Sequence, residues 1–112
     1  MFERGKIVLV PFPFTDLSAQ KVRPALIVSS THAGKADVIV AFIGSSVPQK
    51  IAKSIVALPA TKISGLKVPS CLYSDKIATL DRNIVLGEIG SVTRVQMKDI
   101  EVALCFSLGI VA

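Results

Sequence analysis

Three short stretches carry side chains that could do chemistry on a phosphodiester. Arg23 precedes Pro24 in "KVRPALIVSS", where a polar loop meets an apolar run. "IGSS" (Ile43 to Ser46) sets two adjacent hydroxyls after a glycine. "SDKIATLDR" (Ser74 to Arg82) puts Asp75 beside Lys76, and neighbours on a strand face opposite ways. A guanidinium fork binds two phosphate oxygens at once, and a nearby hydroxyl can position a reacting group. The residues that are missing narrow the chemistry further. His32 is the only histidine, so one subunit cannot supply a pair of histidines as acid and base. The eight carboxylates show no DxD, ExxE or HExxH spacing, which argues against two-metal hydrolysis. No phosphate-loop, dinucleotide-binding or Gly-x-Ser-x-Gly pattern occurs. Cleavage of RNA by its own 2′-hydroxyl suits what remains. There the substrate carries the nucleophile, and the protein orients it, stabilises charge at phosphorus and helps the 5′ oxygen leave.

Each stretch also has a plainer reading. Arg23 can be an ordinary strand-edge arginine, snorkelling or paired with Asp16, and this is the commoner arrangement on spacing alone. Gly-Ser-Ser is a common turn. Asp75 and Lys76 can form a solvated ion-pair face. Tyr73, Phe12 or Phe14 could stack a base, although core packing is the usual role of an aromatic. His32 reads as a loop residue.

Those residues must be held by short β-branched runs separated by turns. Strands are expected at Lys6–Phe12, Ala25–Ser30, Asp37–Ile43, Lys53–Leu58, Ser70–Leu80 (bent) and Gly87–Val92. Pro24 fixes its own φ and biases Arg23 towards extended geometry. "PATKISGLKVP" has room for at most one helical turn. One helix is expected, Arg94 to Leu108. Thr93 would be its N-cap, Gln96 would complete a capping box, and Gly109 would stop it. Met97, Ile100, Leu104 and Leu108 form its apolar stripe. The fold class expected is mainly β, a small antiparallel barrel with a C-terminal helix, as a single domain over residues 1–112.

Half of the chain is apolar (51%), more than a lone domain of 112 residues need bury, so a homodimer is expected to cover the excess. The net charge is +5, which attracts polyanions. No apolar stretch approaches the ~20 residues of a membrane span, and the start has no small-residue cleavage site. Cys71 and Cys105 lie in no CxxC motif and suit buried thiols of a cytosolic protein; neither metal nor cofactor is expected.

Four segments in order resemble the MazF/PemK family of toxin endoribonucleases: "GKIVLVPFPFTD", "KVRPALIVSS", "DVIVAFI" and "GLKVPSCLYSDKIATLDRNIV". "KVRPAL" is similar to the family's most diagnostic motif. The resemblance covers nearly the whole chain and implies a PemK/CcdB-type fold, an SH3-like β-barrel with a C-terminal helix. It implies a cytoplasmic homodimer that cuts single-stranded mRNA at short sequences without metal, leaving a 2′,3′-cyclic phosphate. It also implies a cognate antitoxin whose disordered tail occupies the RNA groove. Arg23 matches the family's catalytic arginine. Gly44 stands where the family usually has a threonine, and Ser45 matches the serine that often follows. Either Ser45 or Ser46 then supplies the hydroxyl, or the chain is a weakened relative serving as an RNA- or antitoxin-binding module. Gln20, Lys21 and Lys76 are the RNA-binding candidates.

Overall fold

The computed structural model describes residues 3–12, 21–30, 36–46, 48, 50 and 52–111. Its strands are β1 (Lys6–Phe12), β2 (Lys21–Ile27), β3 (Asp37–Gly44), β4 (Ile55–Leu58), β5 (Ser70–Asp81) and β6 (Gly87–Ser91), followed by helix α1 (Arg94–Leu108). They form one antiparallel sheet in the order β4-β5-β3-β2-β1-β6. The sheet curls into a half-barrel. Its edge strands, β4 and β6, share no ladder, and the connection 59–69 bridges them. There Ser91 N–H donates to the Ile63 carbonyl (2.8 Å). Two glycines permit this approach: a Cβ on Gly65 would overlap the Ile89 carbonyl, and one on Gly90 would overlap the Ser64 carbonyl. Buried Ser64 stiffens the connection, accepting from the Thr61 and Leu66 amides (3.0 and 3.2 Å) and donating to the Pro59 carbonyl (3.0 Å).

The sheet buries both faces, which explains why its strands read as continuous apolar runs instead of alternating ones. One cluster joins Ile7, Leu26, Ile43 and Leu72 to Ile100 of the helix. The other gathers Val8, Val10, Ile27, Val40 and Phe42 on the opposite face, with no helical member. The helix has the expected capping box, with Gln96 N–H donating to Thr93 Oγ1 (3.1 Å) and Thr93 N–H to Gln96 Oε1 (2.8 Å). It ends at Gly109, whose φ of 71° is left-handed.

Two expectations need correction. β2 begins at Lys21, not Ala25, because pairing with β1 continues to Phe12↔Lys21 and overrides the polar character of that stretch. Pro24 is tolerated inside the strand because β3 pairs with β2 only from Ala25↔Phe42 inward, leaving one side of the outer segment open. The helical stripe ends differently too. Leu108 is 54% exposed, and the last turn presents Ser107 to β5, its hydroxyl 2.7 Å from that of Ser74.

Candidate functional site

Two register shifts shape one cavity of about 620 Å³ at the open end of the curl. On β6, Ile7 pairs with Gly90 and Val8 with Glu88, so Ile89 bulges out and lines the cavity. On β5, Ala41 pairs with Ile77 but Phe42 with Tyr73, so Ser74, Asp75 and Lys76 loop out of the ladder. Ser74 pins this bulge to the helix. Its buried hydroxyl lies 2.7 Å from the Ser54 carbonyl, 3.1 Å from that of Ala103 and 2.7 Å from the Ser107 hydroxyl. One proton serves one carbonyl at a time, while Ser107 can donate in return.

The cavity brings together Arg23 of β2, Gly44 at the end of β3, Ser45 and Ser46 beyond it, and Lys76 of the bulge. Arg23 is exposed and forms no ion pair with a described residue; the ion pairs among those residues are Arg4–Glu101 (2.9 Å) and Lys6–Glu88 (3.5 Å). Lys21 shares the Arg23 strand face by alternation, yet it lies outside the cavity wall at the far end of the β1 ladder. Gln20, Asp16, His32 and Phe14 lie outside the described residues, as does the side chain of Phe12. Asp75 is exposed and does not line the cavity.

Residues not anticipated from the sequence complete the wall. Lys67 and Ser70 enter from the connection and the start of β5. The only local signal for Lys67 was the Ser64-Gly65-Leu66 turn ahead of it, where Gly65 takes a φ of 69°. Tyr73 is built into the wall more firmly than base stacking would need. Its hydroxyl donates to the Ser46 carbonyl (2.8 Å), and Lys76 Nζ stands 4.9 Å from its ring centroid.

The described lining thus holds three cations (Arg23, Lys67 and Lys76), the two serines Ser45 and Ser46, and no carboxylate; Ser70 and Tyr73 also line it, their hydroxyls donating to the Val68 and Ser46 carbonyls (2.9 and 2.8 Å). Such a wall attracts an anion and offers it a fork, two ammonium groups and neutral donors. Among the described residues, no three His, Cys, Asp or Glu side chains gather in a way that could hold a metal ion.

The comparisons with known proteins agree with this architecture. A family model described as "PemK-like, MazF-like toxin of type II toxin-antitoxin system" matches residues 3–108. No curated protein matches in sequence. Among solved structures, an endoribonuclease from mycobacterial species in complex with its cognate antitoxin superposes with a TM-score of 0.79 at 23% identity, covering 98% of this chain and 97% of that one. The toxin MazF-mt6 of Mycobacterium tuberculosis gives 0.77 at 22% identity, covering 96% and 99%. A MazE-MazF complex from Deinococcus radiodurans gives 0.74 at 19%, covering 97% and 96%. At such identities these likenesses establish the fold, which is mainly β with a C-terminal helix.

Proposed function

The chain belongs to the PemK-like, MazF-like toxin family of type II toxin–antitoxin systems, and from that membership we propose that it is a metal-independent, sequence-selective endoribonuclease that cuts single-stranded mRNA and so inhibits growth. The observation that carries this reading is the cavity whose described lining sets Arg23 with Lys67, Lys76, Ser45 and Ser46 and includes no carboxylate. A phosphodiester would sit with its non-bridging oxygens on the Arg23 fork. The adjacent 2′-oxygen attacks phosphorus as its proton passes to solvent water, and solvent restores whatever proton Arg23 gives up. The bond from phosphorus to the 5′ oxygen breaks, and that oxygen takes a proton. The products are a 2′,3′-cyclic phosphate and a 5′-hydroxyl, so no water is consumed. Arg23 stabilises the charge that grows on phosphorus oxygens and stands ready to pass a proton to the leaving oxygen. The Ser45 or Ser46 hydroxyl orients the sugar-phosphate. Lys67 and Lys76 hold flanking phosphates.

The partners of this reading are single-stranded RNA, a cognate antitoxin that competes for the same cavity, and a second copy of the chain. Gln20 and Lys21 adjoin the Arg23 strand and extend the RNA path in this proposal. No helix among the described residues is long and apolar enough to cross a membrane, in keeping with a cytoplasmic site of action.

The test is incubation of purified protein with long RNA in EDTA, with mapping of the new ends. Wild type is expected to leave cyclic phosphates at a short recurring sequence, and Arg23→Ala to leave the RNA intact. Equal cutting by both would overturn the enzymatic reading. One observation favours a second reading, a binding module without turnover: Gly44 has no side chain, and a Cβ there would stand 3.1 Å from Tyr73 Cε2. Tight binding of RNA or antitoxin with no cleavage product would select that reading.

A further inference from the structure

Gly44 and Tyr73 are linked in a way that neither residue type suggests alone. A Cβ built on Gly44 would meet three atoms of the Tyr73 ring, at 3.1 Å from Cε2, 3.9 Å from Cδ2 and 4.0 Å from Cζ. The φ of Gly44 is not positive, so the backbone would accept a side chain. The neighbour such a side chain would press, by a few tenths of an ångström at its Cβ, is the tyrosine. The ring cannot simply swing aside, because its hydroxyl is bonded to the Ser46 carbonyl at 2.8 Å. Lys76 Nζ lies 4.9 Å from the ring centroid. The backbone beneath the ring is fixed on the other face, where Ser74 bonds the Ser54 carbonyl through both its amide (2.9 Å) and its hydroxyl (2.7 Å). One half-buried side chain therefore crowds the place of a residue-44 side chain, bonds the carbonyl of one of the two serines, and stands beside a lysine of the cavity.

We propose that Tyr73 is a positioning residue of the RNA-cleavage site: its ring crowds the space that Gly44 leaves empty, and its hydroxyl, bonded to the Ser46 carbonyl, holds the Ser45 and Ser46 hydroxyls at the cavity wall shared with Arg23. The inference rests on the endoribonuclease reading above. Its consequence is that glycine at 44 is not a lesion. A side chain added there pushes the ring off the Ser46 carbonyl and loosens the serine segment, so even a hydroxyl-bearing residue lowers activity while Tyr73 is present.

The experiment measures kcat and KM on a short RNA containing one cleavage site. The active fraction is normalised by binding of the same oligonucleotide with a 2′-deoxy substitution at the cut. Tyr73→Phe keeps the ring and removes the tether; kcat is expected to fall about tenfold or more while KM stays within about twofold. Gly44→Val is expected to lower kcat by a similar factor in the native background and by less than about twofold in a Tyr73→Ala background, since the obstructed ring is then absent. A purely structural role for Tyr73 would reduce the active fraction and leave normalised kcat unchanged. Wild type that cuts RNA while Tyr73→Phe cuts equally well overturns this inference alone. An equal cost of Gly44→Val in both backgrounds overturns it as well. Wild type that cuts no better than Arg23→Ala removes the endoribonuclease reading and this inference with it.

Discussion

Arg23 occupies the outer part of β2, where the strand is paired with β1 through Val10↔Arg23 but lies beyond the first pair with β3. The backbone is therefore held on one side, and the exposed side chain is left to the cavity. The guanidinium is specifically suited to this position, since a lysine there would offer one point charge in place of a planar fork. Arg23→Lys is accordingly expected to lose about a hundredfold or more in kcat on RNA while remaining folded, as followed by single-turnover cleavage and circular dichroism. Lys67 has a different expected role. It lines the same wall but comes from the connection, so Lys67→Ala should raise KM by more than it lowers kcat. An unchanged KM would remove Lys67 from the RNA path. The two serines separate in the same way. The carbonyl of Ser46 is already engaged by Tyr73. Comparing Ser45→Ala with Ser46→Ala in the cleavage assay assigns the orienting hydroxyl.

At the scale of elements, the site depends on a segment that is neither strand nor helix. The connection 59–69 closes the gap between β4 and β6 and carries Gly65 to Val68 into the cavity wall. Gly65→Ala would combine a left-handed backbone with overlap onto the Ile89 carbonyl. It is expected to destabilise the protein by more than about 2 kcal/mol in urea unfolding and to depress cleavage with it. The helix offers a milder contrast. Thr93→Ala removes the acceptor for the Gln96 amide and should cost about 1 kcal/mol without altering KM, because the cap lies away from the cavity. The helix reaches the site through its other end, where Ser107 and the Ala103 carbonyl meet Ser74 under the β5 bulge.

For the whole molecule, two bulk properties have consequences. The net charge of +5 and the three cavity cations imply binding that weakens steeply with salt. With about three phosphates neutralised, affinity for single-stranded RNA should fall by roughly tenfold or more between about 50 and about 200 mM salt. A flat salt profile would mean that the cavity does not hold phosphates. The outer face of the helix leaves Val95, Val102 and Phe106 exposed, with Ile110 and Val111 exposed beyond its end. The homodimer proposed above would cover some of them, and sedimentation at twice the chain mass is the measurement that checks this.

The sequence by itself determined the elements and singled out a candidate cation. Strand positions followed from β-branched runs between turn residues and the helix from its period and caps, while Arg23 stood out as a cation between a polar loop and an apolar run. These are local properties, written in neighbouring residues. The tertiary structure decided the rest because the rest is non-local. Where β2 begins depends on how far β1 pairs with it. That the half-barrel closes through a connection, not a ladder, depends on carbonyls meeting glycines far apart in the chain. Gly44 looked like a missing hydroxyl only beside the family resemblance. Folding sets it against Tyr73, 29 positions later, with ring carbon Cε2 3.1 Å from where its Cβ would stand, a neighbour that no local pattern announces.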